Sequence, residues 1–168
     1  MSISMYEASI PLFLHHLDSL DKLLDKAAES AAARNFDSSI LCSARLAPDM
    51  FPLTRQVQIA CDMAKACGAR LTGIEIPKFE DSESSLPELK ARIAKTADFL
   101  RSLNPEQFVG AEDRQISYSI PGRTLNFTGK AYLITWVWPN FYFHYTTAYA
   151  LLRHNGVGLG KLDYLGAN

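Results

Sequence analysis

The fold of this chain is decided by the 22 residues from Ala131 to Leu152, which read AYLITWVWPNFYFHYTTAYALL. They contain no Asp, Glu, Lys or Arg, and they hold eight of the chain's 18 Phe, Trp and Tyr residues. A stretch of this length could cross a bilayer. It nevertheless contains Pro139, Asn140, His144 and three threonines, and aromatic side chains with polar tips also fill helical cores. The stretch therefore predicts a buried core helix rather than a membrane span.

Pro139 interrupts this pattern, because proline lacks an N–H and its ring clashes with the preceding helical turn. We expect a short helical turn over residues 130–137 and the main helix from Pro139 to His154. Gly156 would then supply the left-handed residue that ends it. The two tryptophans of the stretch, at positions 136 and 138, are expected to share one core environment.

Three more segments have the apolar spacing of three and four residues that is typical of amphipathic helices. They cover about residues 9–33, 53–71 and 85–103. Ser85 and Glu88 form a capping box at the start of the last one. Four amphipathic helices bury their apolar faces most simply in an all-α four-helix bundle.

The remaining segments are shorter. Residues 38–44 predict a short helix, and the alternation of apolar and polar residues over 115–127 predicts a β-hairpin just before the last long helix. We expect an extended tail over residues 158–168. No internal repeat or linker divides the sequence, so residues 1–168 are interpreted as a single domain.

Composition narrows the classes of function. The 17 basic and 18 acidic side chains give a net charge of −1, which offers no footprint for a nucleic acid. The three cysteines include no CxxC pair and cannot all form disulfides, which favours a reducing compartment. The first residues lack the basic region and long apolar run of a signal peptide, so we expect a cytoplasmic protein that does not associate with membranes.

One polar constellation stands out against the apolar helices. His144 lies in the middle of the aromatic stretch, with Asn140 one turn before it on the same face. Asp62 follows Gln58 by one turn on the second long helix. We expect these four residues to converge in a small polar pocket, where the carboxylate of Asp62 accepts a hydrogen bond from His144.

The pattern also allows a simpler interpretation. Arg55, Gln58, Asp62 and Lys65 could form a solvated helix face with an ion pair between Asp62 and Lys65. His15 and His16 are adjacent and point about 100° apart on a helix, so they cannot share a metal ion. His16 is expected at the edge of the core.

Three segments of the chain carry a family resemblance. Residues 45–62 read RLAPDMFPLTRQVQIACD, residues 139–144 read PNFYFH and residues 152–161 read LRHNGVGLGK. They resemble a family of domains of unknown function within the DinB/YfiT-like superfamily of four-helix bundles, which contains metalloenzymes. The resemblance covers essentially the whole chain.

The resemblance implies a metal site built from one His on the second helix and a His-x3-His or Glu-x3-His pair on the last long helix. His144 matches the final His, Asn140 the residue four earlier, and Asp62 the second-helix position. An Asn amide is a poor ligand for Zn²⁺ or Ni²⁺. We therefore expect a metal-free bundle that binds a small molecule, with a divalent metal held by these three residues as the alternative.

The superfamily also includes mycothiol-dependent maleylpyruvate isomerases and bacillithiol transferases. The resemblance thus implies, as a second hypothesis, a metal- or thiol-dependent transferase or isomerase. A third hypothesis is an aromatic-rich protein that associates with a partner or a membrane. A homodimer is expected from the same resemblance, and from apolar surface on more than one face of the second and fourth helices.

Overall fold

The chain folds around four long helices joined by short elements, and the computed structural model describes residues 3–167. Met1, Ser2 and Asn168 therefore lie outside the described residues. In chain order the elements are α1 (Ile10–Ala33), α2 (Ser39–Cys42), α3 (Leu53–Thr72), α4 (Leu86–Arg101), a 3-10 turn (Pro105–Phe108), β1 (Gln115–Ile120), β2 (Arg123–Thr128), α5 (Gly129–Ala131), a π-helical turn (Tyr132–Val137), α6 (Trp138–His154) and α7 (Lys161–Leu165).

The four long helices bury their apolar faces against one another. α3 packs against α6 on one side and α4 on the other, and α1 packs against α4 and α6. Phe13, Leu24, Cys61, Phe141 and Tyr145 are fully enclosed in this core. The predicted all-α four-helix bundle with a hairpin before the last long helix is confirmed, as is the capping box in which Ser85 and Glu88 bond reciprocally at the start of α4.

The β-hairpin covers the start of the last long helix. β1 and β2 are antiparallel, with Gln115 opposite Thr128 and Ile120 opposite Arg123. Gly129 follows directly, and a Cβ there would lie 1.8 Å from the carbonyl oxygen of Ala111. Only glycine allows the chain to turn from the hairpin into the helix at this distance.

Pro139 does not interrupt the last helix in the way that its sequence predicts. Residues 129–154 are continuously helical, and the residues just before Trp138 form the π-helical turn. A regular α-helix would press the proline ring against the carbonyl of Thr135. The wider π turn accommodates the proline, so the helix changes its geometry instead of stopping.

The tail differs from the extended segment that we expected. α7 packs against α1, where Lys26 pairs with Asp163 and His15 Nε2 donates to the Leu165 carbonyl at 2.8 Å. The side chain of Asp163 also accepts from the Gly160 N–H at 2.7 Å. This hydrogen bond between residues three apart in the sequence caps the start of α7, which allows a short helix to form after a glycine-rich segment.

Trp136 and Trp138 do not share one environment. Trp136 lies against Tyr118 and Phe127 of the hairpin. Trp138 stacks between Phe13 and Tyr142. Trp136 lies within the π-helical turn and Trp138 directly follows it. The turn changes the angle between successive side chains, so the spacing of an ideal helix misplaced them.

The aromatic stretch is a core helix, as predicted. Within residues 3–167, no helix combines the length and the apolar character needed to cross a membrane. Among the aromatic side chains of the stretch, only Phe143 is more than half exposed.

Candidate functional site

α3 sends polar side chains to two opposite sides of the bundle. Gln58 and Asp62 are one turn apart and share a face, whereas Gln56 precedes Gln58 by two residues and points about 160° away. Gln56 therefore faces α6, while Gln58 and Asp62 face α4 and the loop over residues 73–85. This rotation decides which residues meet His144.

Gln56, rather than Asp62, is the hydrogen-bond partner of His144. The Nδ1 atom of His144 lies 2.7 Å from the amide oxygen of Gln56. The amide nitrogen of Gln56 donates in turn to the carbonyl of Phe51 at 3.0 Å. We call this chain of Phe51, Gln56 and His144 the His144 relay. Gln56 is 1% exposed and His144 is 8% exposed, so the relay is buried.

The relay fixes the protonation of the imidazole ring. Because the Phe51 carbonyl can only accept, it orients the Gln56 amide so that its oxygen faces His144. Nδ1 must then carry the proton and donate, which leaves a lone pair on Nε2. The same logic orients histidine rings through outer partners at metal and catalytic sites.

Nε2 is the open end of the relay. Within residues 3–167 it has no hydrogen-bond partner, but it is not among the fully enclosed unpaired nitrogens, so it keeps contact with solvent. Burial, with a smaller contribution in the same direction from the positive charge of Arg55, lowers the pKa of His144 to about 4. The ring is therefore neutral at physiological pH, and Nε2 acts as an acceptor.

A shallow groove of about 520 Å³ lies on the neighbouring face of α6, and His144 is not itself among its lining residues. Phe143, which packs edge-on against the His144 ring, and Thr147, one turn further along α6, both line it. Its other lining residues are Leu46, Tyr142, Thr146 and Ala150. The surface is mainly apolar, with threonine hydroxyls on one side.

Asp62 belongs to a different set of contacts, centred on Arg92 of α4. The Arg92 side chain is 1% exposed, and its guanidinium pairs with Asp62 at 2.9 Å, Asp81 at 2.9 Å and Glu83 at 3.0 Å. We call these four residues the Arg92 cluster. Asp62 also pairs with Lys65 at 2.8 Å, as the simpler interpretation of this face predicted, although Lys65 is buried rather than solvated.

Gln58 joins the same side of α3. Its amide nitrogen donates to Glu83 at 2.8 Å, and its oxygen accepts from Arg55 at 3.2 Å. Burial raises the pKa of Glu83, but the hydrogen bonds from Gln58 and Arg92 outweigh this effect and lower it overall. The Glu83 carboxylate is thus held in its charged form, in which it pins the loop onto α3 and α4.

Asn140 makes a local contact. Its amide nitrogen donates to the carbonyl of Trp136, one turn back on the same helix, at 2.6 Å. Among the described residues, no hydrogen bond or ion pair connects Asp62, Gln58 or Asn140 to His144. The expectation of a hydrogen bond between Asp62 and His144 is therefore wrong. α3 is rotated so that Gln56, and not Asp62, faces His144.

Sequence reasoning missed Gln56, and it placed Arg55 only on a solvated helix face. Gln56 precedes Ile59 by three residues and Met63 by seven, which places it on an apolar stripe of α3. A polar residue on an apolar stripe needs a buried partner, and His144 was the obvious one. The position of Gln56 therefore indicated the partner of His144. The sequence analysis assigned that part to Asp62 instead, because a carboxylate is the stronger hydrogen-bond acceptor.

The donor set does not fit the metal site that the resemblance implies. Within residues 3–167, no three His, Cys, Asp or Glu side chains are placed to hold one ion together. The carboxylate of Asp62 is engaged by Arg92 and Lys65, and the Asn140 amide is bonded to its own helix. We derive no chemistry through a metal at this site.

Other proteins share both the sequence and the fold. A domain of unknown function (DUF1993) matches residues 5–165. The crystal structure of a DinB family member from Shewanella denitrificans is 44% identical, with a TM-score of 0.89, over 98% of this chain and 93% of that chain. No functionally curated protein matches this sequence.

The bundle, with its buried histidine on the last long helix, therefore defines a DinB-like four-helix-bundle protein. Within that class, the chain belongs to the DUF1993 family.

Proposed function

We propose that this protein binds a small molecule at His144 without a resident metal ion, and that the ligand donates a hydrogen bond to Nε2. The observation that carries the proposal is the His144 relay. Nε2 keeps contact with solvent, so a fixed tautomer with one open acceptor suits a ligand that replaces water at this atom. The relay orients that acceptor before any ligand arrives.

The surroundings of Nε2 indicate the chemistry of the ligand. A hydroxyl, amine or thiol can donate to the lone pair, and the groove beside Phe143 and Thr147 suits an apolar body. Arg55 brings a positive charge close enough to lower the pKa of His144, so the site disfavours cations. The ligand is thus a neutral or anionic molecule with an apolar group and one hydrogen-bond donor.

Asp62, Gln58 and Asn140 have supporting parts in this proposal. Gln58 accepts a hydrogen bond from the guanidinium of Arg55, and Asp81 pairs with the same guanidinium. The side of α3 that carries Gln58 and Asp62 thus helps to hold the positive charge of Arg55 near His144. Asn140 lies one turn before His144. Its amide oxygen is the atom of that side chain that a ligand could reach, because the amide nitrogen is bonded to Trp136.

A thiol-dependent transferase or isomerase is the second candidate. The observation that favours it is the same lone pair on Nε2, which could accept a proton from a thiol. A base with a pKa of about 4 removes few protons from thiols at neutral pH, so binding is the better supported function. Cys42, Cys61 and Cys67 are buried free thiols, which suits the cytoplasm.

Nuclear magnetic resonance of the histidine rings tests the binding proposal. Protein labelled with ¹⁵N is titrated with benzyl alcohol, benzyl mercaptan and toluene, three probes of similar shape of which only the first two donate a hydrogen bond. We expect the free protein to show the Nδ1–H tautomer of His144. Both donors should shift its Nε2 resonance, and toluene should not.

Two variants make the experiment specific. Gln56→Leu should mix the tautomers of His144 and weaken binding of the donors about tenfold, since one hydrogen bond that orients the ring is lost. Gln115→Leu, on the exposed hairpin, should leave both unchanged. A protonated Nε2 in the free protein, or equal shifts with toluene, would contradict the proposal.

Elemental analysis of the purified protein addresses the metal separately. We expect zinc and nickel well below one ion per chain. A stoichiometric amount of either would reject the metal-free part of the proposal, and the alternative of a metal-dependent enzyme would replace it.

A further inference from the structure

Arg55, in the first turn of α3, uses only one end of its guanidinium for contacts within the chain. Nη1 donates to the amide oxygen of Gln58 at 3.2 Å and to the carboxylate of Asp81. Within residues 3–167, Nε and Nη2 have no hydrogen-bond partner, and neither is among the fully enclosed unpaired atoms. The side chain is 37% exposed, so the edge formed by these two atoms is open to solvent.

This open edge has the geometry of an anion receptor. Nε and Nη2 lie side by side in the guanidinium plane, and their N–H groups match the two oxygens of a carboxylate. Gln58 is buried and holds Nη1 together with Asp81, so the guanidinium is oriented before a ligand arrives. The contacts that fix Arg55 therefore leave its bidentate edge unoccupied.

Arg55 stands beside the His144 relay. It directly precedes Gln56, and successive residues of a helix point about 100° apart, so it projects between the Gln56 side and the Gln58 side of α3. Its guanidinium carbon lies 6.0 Å from the centroid of the Phe51 ring, and the carbonyl of Phe51 ends the relay. The charge of Arg55 also lowers the pKa of His144. A ligand at Nε2 thus lies within the field of this cation.

Exposed apolar surface accompanies the guanidinium. Phe51 is 54% exposed and Leu46 is 40% exposed, and both belong to the connector between α2 and α3. Leu46 also lines the groove on α6. A cation with an open bidentate edge beside apolar surface suits an acid with an apolar body.

We propose that Arg55 is the specificity-determining residue of the site at His144 and selects ligands that carry a carboxylate. The inference rests on the proposed function, in which Nε2 of His144 accepts a hydrogen bond from the ligand. Nε and Nη2 of Arg55 hold the carboxylate of the same molecule. The ligand class is then an apolar acid with one hydroxyl or thiol donor.

Asp81 tunes this selection. Its carboxylate is shared between Arg55 and Arg92, and it lies 2.9 Å from the latter. A ligand acid competes with Asp81 for the charge of Arg55 alone, because Arg92 keeps its other carboxylates. Removal of the Asp81 charge should therefore strengthen the binding of an acid. A pair with only a structural role predicts the opposite, since its loss would disturb the site whichever partner is changed.

Titration of ¹⁵N-labelled full-length protein with acids and their amides tests the proposal. Mandelate and the meta and para isomers of (hydroxymethyl)benzoate place the carboxylate at increasing distance from the hydroxyl. Each amide has nearly the same shape as its acid but no charge. We expect at least one acid to bind about tenfold more tightly than its amide, with shifts at both His144 Nε2 and the Arg55 Nε–H.

Three variants make the test specific, with the ratio of the two dissociation constants as the readout. Arg55→Gln should reduce the preference for the acid to about parity, because Gln offers no charged bidentate edge. Asp81→Asn keeps a hydrogen-bond acceptor for Nη1 and should raise the preference about twofold or more. Arg123→Gln, at an exposed position on the hairpin, is the matched control and should leave the ratio unchanged.

The outcomes separate this inference from the proposed function. If benzyl alcohol shifts Nε2 but no acid binds more tightly than its amide, the role of Arg55 is wrong and the binding proposal stands. If neither benzyl alcohol nor any acid shifts Nε2, both are wrong. A preference that survives Arg55→Gln, or an equal loss of it in Asp81→Asn and Arg55→Gln, would also overturn the role of Arg55.

Discussion

The two sides of α3 carry buried polar groups of opposite character. The His144 relay is uncharged and ends in an open acceptor, whereas the Arg92 cluster is charged and its guanidinium is bonded to carboxylates on three residues. The relay and the Arg92 guanidinium are both buried, so both would be costly to disrupt, although Asp62 and Asp81 of the cluster are partly exposed. The comparison teaches that the charged Arg92 cluster holds the fold together, whereas the neutral pair of Gln56 and His144 leaves Nε2 available to a ligand.

The difference follows from what each element has to do. The loop over residues 73–85 has little apolar surface of its own, and Arg92 fastens it by pairing with the carboxylates of Asp81 and Glu83 and by donating to the Glu80 carbonyl at 3.0 Å. α6 is already packed by aromatic residues, so its one buried imidazole needs only Gln56 for orientation. The two regions therefore respond differently to the same kinds of perturbation.

Removal of the Arg92 cation should have the largest effect. Arg92→Met keeps most of the side-chain volume but leaves Asp62 and Glu83 without their central partner. We expect a loss of about 3 kcal/mol in the free energy of unfolding, at the low end for a broken buried ion pair, because Glu83 is largely buried whereas Asp62 is partly exposed and keeps Lys65 as a partner. Urea denaturation followed by circular dichroism measures this loss.

The control for this variant is a surface pair of similar geometry. Arg101 bonds to Asp98 at 2.9 Å, but both side chains are largely exposed. Arg101→Met should change the stability by less than about 1 kcal/mol. Equal losses in the two variants would show that the Arg92 cluster behaves as an ordinary surface network.

Disruption of the His144 relay should have an intermediate effect. Gln56→Leu leaves the Nδ1–H of His144 and the carbonyl of Phe51 without a partner, and we expect a loss of about 1–3 kcal/mol. The double variant Gln56→Leu with His144→Phe removes both polar groups and should recover most of that stability. If the double variant is as unstable as the sum of the two single variants, the relay is not the reason for the loss.

Most of the fold could be predicted from local signals. The apolar spacing of α1, α3 and α4, the Ser85–Glu88 cap and the alternation in the hairpin each depend on neighbouring residues only. The π-helical turn could not be predicted in this way. It depends on how Pro139 is accommodated by a helix already held in the core, which is a tertiary effect.

The candidate site was predicted only in part. The sequence placed His144 in a buried helix and identified α3 as the element that supplies its partner. It could not fix the rotation of α3, and a rotation of about 160° exchanges Gln56 for the Gln58 and Asp62 face. The strength of a carboxylate as a hydrogen-bond acceptor did not identify the partner of His144, because Asp62 pairs with Arg92 instead.

A fall in pH should have the smallest effect of the three perturbations, and it should act on the His144 relay rather than on the Arg92 cluster. Burial lowers the pKa of His144 to about 4, whereas an unfolded histidine has an ordinary value of 6.5. As the pH falls from about 6.5 to about 4, the unfolded state therefore binds protons before the folded state does. Stability from this group is complete above pH 6.5, is lost across this interval, and does not fall further below pH 4.

The loss that His144 contributes at pH 5 should be about 1–2 kcal/mol relative to pH 8, measured as the free energy of unfolding in urea. His16 contributes in the same interval, because burial and the neighbouring His15 lower its pKa to about 4, so each histidine must be removed separately. His144→Gln should flatten part of the pH dependence and His16→Gln another part, while His154→Gln at an exposed position should change nothing. Glu83 should stay paired with Arg92 at pH 5, since its pKa is lowered below its ordinary value. A pH dependence that His144→Gln leaves unaltered would mean that the imidazole is not held neutral in the fold, and that Nε2 is not the open acceptor on which ligand binding depends.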